Sequence, residues 1–241
     1  MLSNIHEEVC MPWASTHGAK FAPNKYRLCH FIRKRQPPTD AMTINDNISI
    51  APRETVKYLG VWLDCKLNWK AQVNSNKTKA LKTIGALSCL AGSTWGAQFT
   101  RMRQMMHAVF LPQLTRCCST WYTPHEKKGH TKSVITSLSS VLYKAQRAIT
   151  GAFKATSKAA LQIETFSPPI HVHLDRIACQ TALRIATSPA YQAIIATRSK
   201  NKTRVISPLE KLTTRLERKI GTCIKNLETI TPFAASPWWI L

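Results

Sequence analysis

Residues 56–64, Val56-Lys57-Tyr58-Leu59-Gly60-Val61-Trp62-Leu63-Asp64, divide the chain into two regimes. They are the last run rich in β-branched and aromatic residues, the composition that suits a pleated, half-buried strand. Upstream, Tyr26-Arg27-Leu28-Cys29-His30-Phe31-Ile32 suits another strand, which the run Arg33-Lys34-Arg35-Gln36-Pro37-Pro38 ends. Residues 48–50 and 56–63 form a second extended pair, so a small antiparallel unit is expected. Ahead of it, residues 4–11 predict one short helix, with Ser3 or Asn4 as N-cap, Ile5 and Val9 one turn apart, and Pro12 as its end.

Beyond Trp69 the apolar period changes to that of helices. Leu81, Ile84, Leu87 and Ala91 share a face, with Lys79 and Lys82 turned away from it. Phe99, Met102, Met106, Val109 and Phe110 make a second stripe, interrupted near Pro112, where a kink or an end is expected. Val134, Leu138, Val141, Leu142, Ala145 and Ile149 make a third, and Leu174, Ile177, Ala178 and Ile185 a fourth, after the breaker Ser167-Pro168-Pro169. The fifth helix opens with Ser207-Pro208-Leu209-Glu210, which offers an N-cap serine, proline at N1 and glutamate at N3. Leu209, Leu212, Leu216, Ile220, Ile224 and Leu227 follow at helical spacing, and residues 232–239 read as a linker or docking tail. All these stripes read as core. The fold class is mainly α: a small antiparallel β part followed by an all-helical body, divided near Ser167.

At 241 residues and 44% hydrophobic, the chain can bury one ordinary core or two small ones. Its 34 Lys and Arg against 12 Asp and Glu give a net charge of +22. Up to residue 120 there are 16 basic and 6 acidic residues, and 18 and 6 after it, so no detachable basic arm explains the excess. A field of this sign favours polyanions, nucleic acid first and an anionic membrane surface second, and confers affinity without sequence specificity. No window approaches the ~18 unbroken apolar residues of a membrane span. The first residues have neither the basic nor the long apolar region of a signal peptide, so an intracellular protein, cytoplasmic or nuclear, is expected.

Eight cysteines lie scattered without a CxxC pair, which predicts free thiols and no zinc site. His171-Val172-His173 brings two imidazoles close in sequence, but at a helix start they diverge and no third ligand is spaced nearby. No Walker loop, nucleophile elbow or dinucleotide fingerprint is present, and no cofactor is expected.

Several islands resemble, in order, fungal LINE-type (non-LTR, Tad-group) reverse transcriptases. Residues 13–26, Trp-Ala-Ser-Thr-His-Gly-Ala-Lys-Phe-Ala-Pro-Asn-Lys-Tyr, are similar to the family's palm motif D, and Lys57-Tyr58-Leu59-Gly60-Val61 to motif E, the primer grip. Residues 85–96, then Val109-Phe110-Leu111-Pro112-Gln113-Leu114 with Trp121-Tyr122-Thr123-Pro124, resemble the thumb, and residues 145–151 the helix after it. Residues 208–239 resemble the connector into an RNase H domain. The resemblance implies a palm remnant over 1–69, a helical thumb over 70–166 and a helical connector over 167–241, ahead of an RNase H domain that is absent.

Polymerisation by two metals needs clustered carboxylates, and here the 12 acids are dispersed, with Glu7-Glu8 the single adjacent pair. Neighbours on a helix point about 100° apart, a poor arrangement for sharing a metal. Neither a catalytic nor a metal site is therefore expected. The resemblance implies motif D remnants at Lys20 and Lys25 and a primer-grip remnant at Tyr58, Leu59 and Gly60. It also implies phosphate contacts from Lys70, Lys77, Lys79, Lys82, Arg101 and Arg103 to RNA or DNA, nonspecific and salt-dependent. Two other readings stay open. LINE-like reading frames also make up avirulence-type effector families of cereal powdery mildews, and on that reading the chain meets a host plant protein after unconventional delivery. The third is an incomplete gene model cut from an active polymerase.

Overall fold

The computed structural model describes residues 2–32, 38–44, 48–90, 92, 95–122, 129–200, 207–224 and 227–230. The chain forms two units, Met1–Ser75 and Asn76–Leu241. The fold class is the expected one: mainly helical, with the strands of the described residues confined to two small antiparallel sheets. The proposed tail at 232–239 lies outside the described residues.

In the first unit, helix α1 (2–16) continues straight through Pro12, where the sequence predicts its end. The segment His6–Cys10 is a π turn, and Met11 N–H bonds to the His6 carbonyl five residues back. Proline lacks an N–H and its ring crowds the carbonyl four residues earlier; the wider turn removes the conflict just before the ring arrives. Two hairpins follow. Strand β1 (Met42–Ile44) pairs with β2 (Ile48–Ile50), and β3 (Thr55–Tyr58) with β4 (Val61–Asp64), in the registers Thr43↔Ser49 and Lys57↔Trp62. The expected pairing of 48–50 with 56–63 is thus wrong: each run has a closer partner, and a local hairpin closes with less entropy loss. The strand expected over 26–32 is also absent. Its one ladder contact is a parallel bridge from Leu28 to Pro52, supported by Arg53 N–H to the Leu28 carbonyl at 2.8 Å and Ile32 N–H to the Cys65 carbonyl at 3.2 Å.

Helix α2 (Lys70–Ser88) runs on from this unit into the second. Its buried face carries Val73, Asn76, Ala80 and Leu87, so the face is rotated from the expected one, and Leu81 is exposed. Asn76 explains the shift: its amide donates to the carbonyls of Leu114 at 3.3 Å and Arg116 at 3.0 Å, so a polar residue occupies the core side. Helix α3 (99–114) repeats the device of α1. A π turn, Met106–Phe110, with Leu111 N–H bonded to the Met106 carbonyl, precedes Pro112, so the helix again passes its proline. Met102, Met106, Phe110 and Leu114 from this helix are fully buried, whereas Val109, expected in the stripe, is exposed.

A short helix, α4 (Cys118–Trp121), leads to α5 (Gly129–Thr150), whose Leu138, Val141, Leu142, Ala145 and Ile149 are buried as predicted. Helices α6 (Lys158–Glu164) and α8 (Ala190–Lys200) are additions that the apolar pattern alone does not reveal. Between them lies α7 (Ile170–Ala186), which buries Leu174 and Ala178. Helix α9 (Pro208–Ile220) starts at the predicted cap, with the Ser207 hydroxyl accepting from Glu210 N–H at 3.2 Å. It ends at Gly221, in the left-handed conformation with φ 72°, so the stripe that continues to Ile224 and Leu227 overruns the helix.

A buried polar cluster ties the last helices together. Asp175 of α7 accepts from the Tyr122 hydroxyl at 2.8 Å and forms an ion pair with Arg215 of α9. Burial and the bond to Asp175 push the Tyr122 phenol well above its ordinary pKa.

Candidate nucleic-acid interface

In the first unit the two motif D positions lie on loop structure. Lys20 follows α1 and Lys25 closes the 3-10 turn Pro23–Lys25; both are exposed. The turn is held from below: the His6 ring meets the Tyr26 hydroxyl at 2.7 Å, and the Arg27 guanidinium donates to the carbonyls of Asn24 and Tyr26 at 2.6 and 2.7 Å.

Tyr58, Leu59 and Gly60 form the β3–β4 hairpin tip. Leu59 and Gly60 take φ 47° and 83°, the positive pair of a two-residue turn that matches strand twist. Glycine adopts this freely; leucine does not, and Leu59 is 85% exposed, so neither backbone preference nor burial favours it there. The hairpin's base is fixed to the start of α2. Trp62 N–H donates to the buried Gln72 side chain at 2.8 Å, and the Asp64 carboxylate accepts from the N–H groups of Lys66, Asn68 and Trp69 at 3.2, 2.8 and 2.7 Å. Lys70, exposed in the first turn of α2, is therefore carried on the same framework as the hairpin.

Along α2 the predicted lysines do not make one stripe. At about 100° per residue, Lys70 and Lys77 share one flank of the buried face, while Lys79 and Lys82 lie on nearly the opposite side. Lys79 and Lys82 are exposed and Lys77 is half-buried. On α3, Arg101 is exposed, but Arg103 is half-buried between two aromatic rings, 5.7 Å from the centre of Phe99 and 4.6 Å from that of Phe166.

Phe166, which the apolar pattern does not single out, stands beside Arg103. From residue 76 to 163 the chain has 13 Lys and Arg and one acid, Glu126. A count split at residue 120 cuts this acid-poor stretch in half and hides it. Its exposed members include Arg116, Lys132, Lys144, Lys154 and Lys158, the last 5.2 Å from the Tyr143 ring centre. Between α3, the end of α5 and α6 lies a groove of about 360 Å³ lined by Phe99, Ile149, Ala152, Thr156, Leu161 and Glu164. Phe153 and Phe166, close in sequence to the groove residues Ala152 and Glu164, are 86% and 73% exposed. Ser157, the N-cap of α6, is the sequence signal that locates it: its hydroxyl accepts from Ala160 N–H at 3.1 Å.

His173 is half-buried and Cys118 buried, whereas Cys89 and Cys223 are exposed. Burial, then Arg176 and His107, hold the His173 imidazole below its ordinary pKa, while His171 is exposed at the helix start. Burial, with Cys117 beside it, pushes the Cys118 thiol up to about 12, which makes it a poor nucleophile. Among the described residues no three His, Cys, Asp or Glu side chains are grouped so as to hold a metal ion, and no helix is long and apolar enough to cross a membrane.

No family model matches the chain, and no solved structure does. A curated relative does: the Retrovirus-related Pol polyprotein from type-1 retrotransposable element R1 2 of Nasonia vitripennis is 23% identical over 124 residues. The match takes in 49% of this chain and 30% of that protein, so the chain spans less than a third of its relative's length. In sequence, the chain is thus related to a retrotransposon Pol polyprotein, of the non-LTR kind.

Proposed function

We propose that this chain is the palm end, thumb and connector of a Tad-like, LINE-type reverse transcriptase, that it binds RNA and DNA through their phosphates without sequence preference, and that it performs no polymerisation itself. The observation that carries the binding reading is the run of 13 basic residues against one acid between 76 and 163, on a helical framework with a well-buried core. Charge of one sign at this density attracts a polyanion at long range and releases counterions on contact. The chemistry of the acids supports binding over catalysis: two-metal transfer requires carboxylates within a few ångströms of one another, and Asp64 and Asp175 are engaged in holding backbone and an arginine.

Fluorescence anisotropy with a labelled RNA–DNA hybrid tests the reading. Binding at low salt that weakens steeply as salt rises, and is equal for unrelated sequences, is the expected result. A chain that fails to bind at low salt overturns it, as does strong preference for one sequence. A primer-extension assay with Mg²⁺ checks the second half, with no extension expected.

A further inference from the structure

The Schellman turn that ends α6 has an unusual occupant. Ser167 N–H bonds to the Gln162 carbonyl at 3.0 Å and Phe166 N–H to the Ile163 carbonyl at 3.1 Å, which places Phe166 at the left-handed position with φ 49°. Glycine or asparagine normally stands there, because a larger side chain crowds the following carbonyl. Phe166 is also 73% exposed, so burial does not compensate for the strain. The turn beneath it is rigidly held. Thr165 is buried, its hydroxyl accepts from the Gln146 amide at 2.9 Å, and its carbonyl meets the His107 ring at 2.9 Å. Arg103 stacks on the Phe166 ring from the side of Phe99, which lines the adjoining groove. Phe153, 86% exposed, stands in the loop before α6, next to Lys154 and between the groove residues Ala152 and Thr156 in sequence.

We propose that Phe166 and Phe153 are stacking platforms for the unpaired bases of a single strand, with Arg103, Lys154 and Lys158 taking its phosphates. Exposed aromatic rings with cations beside them are the combination that holds single-stranded nucleic acid: each base has a face to stack, whatever its identity. A duplex offers phosphates to the cations but keeps its bases stacked inside, so it gains nothing from the two rings. Charge complementarity selects this occupant over an apolar protein segment, since Arg103 lies against Phe166, Lys154 and Lys158 are exposed beside groove residues in sequence, and the stretch 76–163 carries 13 basic residues to one acid. The inference rests on the nucleic-acid reading above and narrows it to strands with exposed bases.

Asparagine tolerates the left-handed conformation, so Phe166→Asn removes the ring while relieving the turn. The wild-type chain, Phe166→Asn and Phe153→Ala are compared by anisotropy on a labelled oligodeoxyadenylate and on the same strand annealed to its complement. Thermal melts monitor the fold, and 2-aminopurine in the single strand reports stacking. Each substitution is expected to weaken single-strand binding roughly 5- to 150-fold, the range for loss of one base–aromatic stack, with duplex binding unchanged. Phe166→Asn should melt no lower than wild type, and the 2-aminopurine quench should shrink. Unchanged single-strand affinity in both variants, or equal loss for single strand and duplex, overturns the stacking proposal while leaving phosphate binding intact. Binding to neither probe by wild type overturns the broader reading instead.

Discussion

Asp175→Ala removes the carboxylate that Arg215 pairs with among the described residues, and the structure makes the cost asymmetric. The two side chains are 18% and 13% exposed, so the ion pair is shielded from most water. Arg215 cannot shed its proton when its partner is lost, and its Nε and Nη1 have no hydrogen-bond partner already. Tyr122 also loses the acceptor for its hydroxyl. Breaking such a pair from the acid side costs about 3–5 kcal/mol, or roughly 6–20 °C in melting temperature for a chain of this size. Arg215→Ala should cost less, because Asp175 keeps the Tyr122 bond. The double variant should be less destabilised than the sum of the singles by about 1–3 kcal/mol. Urea denaturation followed by far-UV circular dichroism measures all three. If Asp175→Ala costs less than about 1 kcal/mol, or the two substitutions add, the cluster does not hold α4, α7 and α9 together as described.

Two further outcomes test particular residues. The depressed pKa of His173 means that the unfolded chain takes its proton first. Stability should therefore be complete above the unfolded value of 6.5 and decline as pH falls below it, and His173→Gln should flatten that acid slope in melts between neutral and mildly acidic pH; an unchanged slope refutes the assignment. Leu59→Asn should stabilise the chain by about 0.5–1 kcal/mol, because it relieves the left-handed strain at an exposed site; a drop in denaturation midpoint would mean that the Leu59 side chain packs against something.

Strong local signals were legible in the sequence and weak or competing ones were not. The α5 stripe and the Ser207 cap were readable because each rests on spacing within one or two turns, which neighbours elsewhere in the chain do not alter. Pro12 misleads because a π turn before it lets the helix absorb a residue that pattern rules treat as an end, whereas near Pro112, where a kink or an end is expected, a π turn precedes the proline and the helix ends at Leu114. The pairing of 48–50 was misassigned because its partner, Met42–Ile44, is only three residues long and carries almost no periodic signal. On α2 the buried face was missed because Asn76, a polar residue satisfied by two carbonyls, sits where an apolar one was expected. Of the candidate interface, the lysines were visible as charge, but the aromatic pair was not. Exposure of Phe153 and Phe166 depends on how α6 packs, and α6 is too short to show a stripe.

The salt dependence of binding tests the nucleic-acid reading most directly. For a labelled RNA–DNA hybrid, the logarithm of the affinity should fall linearly with the logarithm of salt concentration. Replacing Lys79 and Lys82 with glutamine should lower the slope by about 0.9 for each phosphate no longer neutralised and weaken binding equally on every sequence. Affinity that is flat against salt would contradict it, and so would a wild-type chain that leaves the hybrid unbound at low salt.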